Sequence, residues 1–470
     1  MAFTKIKKIN PRPKKVLHLN PFFIIALSFL GVIFLGSFLL SMPFSIKEGV
    51  TSNYIDNLFT ATTSLCVTGL VSAPLGVGGT YTFAGQIIVL ILIQIGGLGV
   101  TTFGSIFFLF IQRKVDMNQQ KLIKENWNLS SYKGIKPMFY KILCVSFSFE
   151  IFGSILSFID FYYIHNFELT EAIKVGVFNS VSAFNNAGID ILGTSSLINY
   201  NSDVLLLLTN SFLIIMGGIG YFVVIDIIEK GFHFKKLTLH SKVVITYTIF
   251  LIIAGTLLIY VSEINNNSNM TFLNSYFMSV SSRTAGFTTN DLYLLRNSTI
   301  IILCLFMFIG ASPGSAGGGI KTTTIAVFFA FFRSNMTSRS PHLFKRDIKK
   351  DLINKALLII IMGVGVFLSG YFIINCIEGA HIYVLNNQRI DNYVEGCRMF
   401  QSIDYAFEAM SGFATVGLTT GITPYLHVGS KVVLVALMYI GRVGPLTLSV
   451  MFKPKEKAMY RYVSEDVSIG

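Results

Sequence analysis

The chain has 470 residues, 52% of them hydrophobic and 13% charged, with a mean hydropathy of +0.63. Soluble domains carry about 25% charged residues, so the composition excludes an ordinary water-soluble fold and points to an integral membrane protein. The net charge of +13 would suggest nucleic acid on a soluble protein. Here the Lys and Arg lie between apolar runs, where they set orientation in a bilayer, so the lipid bilayer and not nucleic acid is the expected partner.

The first 20 residues, MAFTKIKKINPRPKKVLHLN, hold six basic residues and no acid. They read as a cytoplasmic tail before a retained first span, because the apolar stretch from Pro21 to Met42 is too long for a signal-peptide core and lacks a cleavage site. From there, long apolar spans come in pairs. The first members cover roughly 22–40, 139–159, 243–261 and 356–374; the second cover 83–111, 204–228, 300–332 and 432–451.

Inside each pair a short segment recurs: TSLCVTGL at 63–70, SAFNNAGI at 182–189, SSRTAGFTT at 281–289 and SGFATVGLTTG at 411–421. Each begins with Ser or Thr and reaches a glycine: Gly69, Gly188, Gly286 or Gly417. A second signature follows 24 to 29 residues downstream, within QIGGLGVTTF, IMGGIGYFVV, FIGASPGSAGGGIK and YIGRVGPLTL. Two signatures repeated four times in one order imply a duplicated unit. The units run 21–114, 115–236 (with a cytoplasmic linker), 237–345 and 346–453, followed by a cytoplasmic tail at 454–470.

Basic clusters lie at Lys5–Lys15, Arg113–Lys136, Lys230–Lys242, Arg333–Lys350 and Lys453–Arg461, which are the two termini and the three junctions. If all face the cytoplasm, each unit crosses an even number of times. Two full spans and a middle segment that enters and returns meet this condition, and middle segments of about ten residues fall short of the ~20 needed to span. Non-helical backbone at membrane depth is tolerated only inside protein or beside water. The expected fold is therefore an all-α integral membrane protein. It has four span–pore-loop–span (M1–P–M2) repeats, with eight spans and four re-entrant loops around a pseudo-fourfold central pore.

Backbone carbonyls can replace the water of a dehydrated cation, and glycine lets strips of backbone approach closely. The candidate filter is Val67, Thr68 and Gly69; Asn186, Ala187 and Gly188; Thr284, Ala285 and Gly286; Thr415, Val416 and Gly417. One such glycine reads as a helix terminus; four in register read as a filter for a cation.

The third unit's second span, Ser298–Phe332, has 35 residues. An unbroken helix of that length would reach about 52 Å against a ~30 Å core. Pro313 with Gly310, Gly314, Gly317, Gly318 and Gly319 marks a break, and the freed backbone groups need a polar cavity. With Ser315 and Lys321 the loop at 310–319 reads as a gate beneath the filter, the alternative being a static kink. Arg442, at the matching position of the fourth unit, would face this loop and donate to its carbonyls; a structural ion pair is the alternative. Lys321 is expected to snorkel to the cytoplasm. Arg283 and Glu408 are expected to form buried ion pairs between units, and Asp190 to lie near the outer mouth. Asp226 and Glu229 read as interface residues, and Glu150 has no partner legible from sequence. Cys376 and Cys397 flank one outer segment, but their spacing alone does not favour a disulfide.

All seven histidines fall in loops or near span ends, and no HExxH or GxSxG motif appears, so an enzyme is not expected. An amino-acid carrier would use inverted repeats, whereas these units start and end on one side. No nucleotide-binding fingerprint or organic cofactor site occurs.

The four glycine motifs, with GASPGSAGGGIKTTT and GRVGP, resemble the Trk/Ktr/HKT superfamily of potassium transporters from Pro21 to about Lys453. The chain lacks the two extra N-terminal spans usual in Trk-type subunits and so looks like the Ktr-type (KtrB-like) ion-translocating membrane subunit. The resemblance implies a multi-pass protein of the bacterial plasma (inner) membrane with both termini cytoplasmic. It further implies K+ as the transported ion, a homodimer, and a cytoplasmic ring of RCK-type (KtrA-like) nucleotide-binding regulatory subunits. It also implies that the glycine-rich break gates. A serine at the first filter position accompanies sodium permeation in related plant proteins. Gly69 at that position favours potassium, with Na+ left as a coupling or activating ion.

Overall fold

The computed structural model describes residues 21–99, 135–231, 233–266, 270–379, 382–385, 388–390 and 398–444. Its helices are α1 (Pro21–Leu40), α2 (Tyr54–Cys66), α3 (Gly76–Thr80), α4 (Phe83–Gly97), α5 (Ile135–Ile159), α6 (Leu169–Phe184), α7 (Val204–Ile219), α8 (Tyr221–Lys230), α9 (Leu239–Glu263), α10 (Phe272–Ser281), α11 (Asn297–Phe308), α12 (Thr322–Thr337), α13 (Lys350–Glu378), α14 (Ser402–Ala414) and α15 (Val428–Val443).

A long helix, a short buried helix and a second apolar helix follow one another four times. The short helices are α2, α6, α10 and α14, and each packs on the long helix before it: α1, α5, α9 and α13. The second helix of every unit also packs on the short helix of the next. Thus α4 meets α6, α7 meets α10, α11 meets α14, and α15 returns to α2. The chain therefore closes into a ring, and Lys431 of α15 seals the seam with an ion pair to Asp56 of α2 at 2.9 Å.

The buried interior carries many hydroxyl side chains among its apolar ones, and the outside is apolar. Thr60, Thr63, Ser180, Ser182, Ser281 and Ser411 are buried, whereas Leu35, Phe34, Ile151, Ile253, Ile361 and Phe372 are exposed. Water would not tolerate such apolar faces, and lipid does. Among the described residues three helices are long and apolar enough to cross a membrane by length and composition, Tyr140–Ile164, Leu239–Glu263 and Lys350–Glu378, with α7 plus α8 a fourth if the bent pair is one span.

Sequence periodicity treats only the third unit's second span as interrupted, but in the structure the described helix of each ends or bends at its second signature. Helix α4 ends at Gly97, with Gly99 at φ 88; α7 and α8 meet at 95° around Gly220, φ 98; α15 ends before Gly444, φ 90. Positive φ is glycine's territory and stops a helix. Residues 100–111 and 445–451 of the expected spans lie outside the described residues.

Short strands add to the helical plan. Ile382–Leu385 pairs antiparallel with both Gln388–Ile390 and Arg398–Phe400, and His342–Leu343 pairs with Arg346–Asp347. Cys376 carries a free thiol, and Cys397 lies outside the described residues.

Candidate cation pathway

The C-terminal ends of α2, α6, α10 and α14 run into the four glycine strips. In each, the first Ser or Thr of the repeated motif anchors the returning backbone. Thr63 accepts from Thr68 N (2.8 Å) through its carbonyl and from Gly69 N (3.0 Å) through Oγ1. Ser182 accepts likewise from Ala187 N (2.8 Å) and Ile189 N (3.1 Å), and Ser411 from Val416 N (3.0 Å) and Gly417 N (2.9 Å). In the third unit the Ser281 carbonyl accepts from Ala285 N (2.8 Å), but its hydroxyl donates to the Phe287 carbonyl (2.6 Å). Sequence reasoning noticed this hydroxyl residue without giving it a role; its signal was its place at the head of all four motifs.

The four glycines have φ values of 106, 62, 79 and 96°. A Cβ on Gly69 would stand 2.7 Å from the Ala187 carbonyl oxygen. The same atom on Gly188 would strike the Ala285 oxygen, on Gly286 the Val416 oxygen, and on Gly417 the Thr68 oxygen, each closer still. Each glycine thus faces the carbonyl just before the next glycine, and the sequence of contacts closes on itself. Val67, Asn186 and Thr415 also adopt left-handed dihedrals, whereas Thr284 of the third strip does not. The Asn186 amide meets the Thr284 hydroxyl at 2.6 Å across two units; with its oxygen toward that hydroxyl, its nitrogen faces the carbonyls of Ala183, Phe184 and Ile214.

The second signature is explained by close packing. Gly96, Gly217 and Gly441 press on the carbonyls of Leu65, Phe184 and Phe413, each four residues before a strip glycine. Gly310 of the third unit faces the Gly318 carbonyl of its own loop instead.

That loop, residues 309–321, lies directly beneath the strips: Gly317 abuts the Thr284 side chain and Gly318 that of Thr415. The bend of the second unit grips it, with Ser312 N donating to Gly218 O (3.1 Å), Ala316 N to Gly217 O (3.3 Å) and Tyr221 N to Gly314 O (3.0 Å). Pro313 comes close to Gly220 through its carbonyl, and Ser315 Oγ donates to Ser312 O at 2.6 Å. Ile309 and Ile320 bridge the loop's base in parallel, with Gly319 (φ 69) leading out of it. Arg442 donates from Nη1 to the Ala316 carbonyl and from Nη2 to the Gly96 carbonyl.

Several expectations need correction. Lys321 does not snorkel; its Nζ turns back to the Gly317 carbonyl at 2.7 Å, because the loop leaves an acceptor four residues away. Arg283 and Glu408 form no ion pair with each other. Glu408 is satisfied within its own unit by the hydroxyls of Thr419 and Thr423, and Arg283 is buried with Nε unpartnered. Glu150 does have partners: Gln94 Nε2 at 3.0 Å and Asn185 Nδ2 at 3.1 Å. Asp226 holds the start of α9 through Thr238 N (3.0 Å) and Ser241 Oγ (2.6 Å), and Glu229 pairs with Lys141.

A cavity of about 360 Å³ at the strips is lined by all four glycines together with Asp190 and Asp291. Asp190 accepts from Leu192 N (3.0 Å), and burial pushes its carboxyl up to about 6. Asp291 pairs with Arg398 at 3.1 Å. A larger crevice, about 670 Å³, opens away from the ring between α4 and α6.

A family model described as "Cation transport protein", TrkH, matches residues 2–461. The chain belongs to the TrkH family. It is 34% identical over 467 residues to the potassium/sodium uptake protein NtpJ of Enterococcus hirae, covering 96% of this chain and 98% of that one. It is 31% identical to the Ktr system potassium uptake protein B of Bacillus subtilis, covering 97% and 98%. The solved structure of the potassium transporter TrkH from Vibrio parahaemolyticus shares the fold, with TM-score 0.66 and 16% identity over 95% of this chain and 87% of that one. This TrkH-family chain is accordingly a mostly helical, multi-pass membrane protein of a transporter family.

Proposed function

We propose that the chain is the ion-translocating membrane subunit of a Ktr-type potassium uptake system. K+ enters the cavity at the strips, loses water to the carbonyls of 67–69, 186–188, 284–286 and 415–417, and meets a gate at 310–321. The observation that carries this reading is the closed succession of glycine-to-carbonyl contacts, because only strips surrounding one axis can each abut the next. Carbonyls in that arrangement supply oxygen ligands without fixed charge, and the C-terminal dipoles of α2, α6, α10 and α14 favour a cation beside them. The four repeats act as two spans and one re-entrant helix each, eight spans in all. Both termini lie in the cytoplasm of a bacterial cell, and the units are 21–114, 115–236, 237–345 and 346–453. The described loop conformation is the closed one, held by Arg442. A second copy and a cytoplasmic nucleotide-binding ring complete the system, with Na+ as coupling or activating ion.

The names of the full-length relatives support potassium as the substrate. The test is uptake of labelled rubidium, sodium and an amino acid into proteoliposomes. Rubidium uptake is expected to dominate, with Gly69→Ser raising sodium entry relative to rubidium. Amino-acid uptake, or cation uptake indifferent to Gly69→Ser, would overturn the reading.

A further inference from the structure

At the end of α5 in the second unit, three side chains from two segments converge. Asp160 opens a single π-type turn (Asp160–Ile164) that ends α5, His165 follows it, and Asp203 is the N-cap of α7. His165 Nε2 lies 2.7 Å from Asp203 Oδ2 and 3.8 Å from Asp160 Oδ2, and the three ligand atoms all fall within 4.8 Å of one another. We propose that this cluster binds a divalent transition-metal ion of the zinc class, with Asp160, His165 and Asp203 as ligands.

The independent observation is Asp160. Its side chain is 1% exposed, and no N–H or O–H group of an ordinary donor reaches either carboxylate oxygen; its polar neighbours are the Asp203 carboxylate and the His165 imidazole. A buried carboxylate is ordinarily paired or hydrogen-bonded. Among the described residues His165 is the one basic group bridging Asp160 and Asp203. A protonated imidazole offsets one of the two carboxylate charges; a divalent ion balances both and leaves the imidazole neutral, the form that ligates.

The geometry suits the ion. Zinc bonds of about 2.1 Å in a tetrahedron place ligand atoms about 3.4 Å apart, and the two measured separations straddle that value. One imidazole nitrogen with two carboxylate oxygens is a borderline donor set, suited to zinc or manganese over calcium. Asp203 is already oriented, since its Oδ1 accepts from Leu206 N at 3.1 Å; its Oδ2 meets His165 Nε2 at 2.7 Å, a contact the ion would replace. The Tyr200 ring meets the imidazole edge-on at 4.8 Å between centroids and fixes its plane. The His165 side chain is 25% exposed, which leaves a side for entry and for a fourth, water ligand. The bound ion ties the end of α5 to the start of α7.

The test uses full-length protein in detergent, stripped with chelator and equilibrated at graded free Zn2+, with bound metal counted by elemental analysis and unfolding followed thermally. Wild type is expected to bind one Zn2+ per chain and to unfold at higher temperature when loaded. Asp160→Asn and His165→Ala should each weaken that binding at least about tenfold and abolish the thermal shift, while Glu229→Gln, at an exposed pair with Lys141, leaves both unchanged. Asp160→Asn is nearly isosteric, and stripped Asp160→Asn should unfold no earlier than stripped wild type, which separates ligand loss from misfolding. Equal zinc counts in wild type and in both ligand variants, or no zinc-dependent shift in wild type, would overturn the proposal.

Discussion

Arg442 of α15 donates to the carbonyl of Ala316, in the loop between α11 and α12, while its second terminal nitrogen donates to Gly96 at the end of α4. One guanidinium thus joins α4, α15 and the loop between α11 and α12, inside a chain that belongs to a membrane-transporter family. A cation there is costly unless it is hydrogen-bonded, and two carbonyls answer that cost only while the loop stays beneath the strips. Arg442→Ala should free the loop and raise basal rubidium flux severalfold in proteoliposomes. Unchanged or lower flux per folded transporter would show that the arginine does not hold the loop closed.

The four strip glycines should differ in what they tolerate. A Cβ at Gly69 would meet the Ala187 oxygen at 2.7 Å, and a Cβ at Gly188 or Gly417 would meet its neighbour closer still. Every one of these contacts is with backbone and every strip glycine has positive φ, so each substitution strains the chain, but the overlap at Gly69 is the smallest. Gly69→Ala is therefore expected to keep part of the flux with reduced discrimination between rubidium and sodium, whereas Gly188→Ala and Gly417→Ala abolish flux. Flux and selectivity in one proteoliposome series give the ranking, and equal effects at all three would contradict it.

Asp190 makes the cavity at the strips sensitive to pH. Its carboxyl is raised from the usual carboxylate value to about 6 by burial. Between about 4 and about 6 the folded chain therefore holds a proton that the unfolded chain releases, so this residue's contribution to stability falls as pH rises. Function runs the other way, since above about 6 the carboxylate lends this cavity a negative charge. Apparent affinity for rubidium should improve about twofold to fivefold from pH 5 to pH 7.5, and Asp190→Asn should flatten the curve at the weaker value. A wild-type profile without an inflection near 6 would count against it.

The seam between the last helix and the first short one rests on Lys431 and Asp56, which are largely buried at 2.9 Å. Removing one partner leaves an uncompensated charge. Lys431→Met should cost about 3 kcal/mol and lower the thermal midpoint in detergent. The double change Lys431→Met with Asp56→Leu should recover most of the loss. A double variant as unstable as the single one would mean that packing, not charge, holds the seam.

The repeated glycines were legible because they recur: one Ser/Thr-to-glycine motif is ordinary, four are not. The break at Pro313 was legible for a different reason, since a 35-residue apolar run does not fit a bilayer. The helix ends near Gly99 and Gly444 and the bend at Gly220 escaped because a lone glycine in an apolar run costs a helix only about 1 kcal/mol, and periodicity does not register a change of φ. Lys321 and Glu408 were misread because their partners, the Gly317 carbonyl and two threonine hydroxyls, are local and neutral. A search for opposite charges does not find them. The strand pairing at 382–400 was missed because the surrounding chain is so strongly helical that short alternating stretches carry little signal.

The ring of strips belongs to a single polypeptide. In an assembly of four identical subunits, any codon change at the ion's path is applied at every quadrant together. Here it touches one quadrant, and the other three keep their oxygens in place. On the proposed cation pathway, preference among ions would thus drift in quarter steps through working intermediates. The third quadrant, already distinct in its Thr284 backbone and its Ser281 hydroxyl, is free to diverge without dragging the rest along.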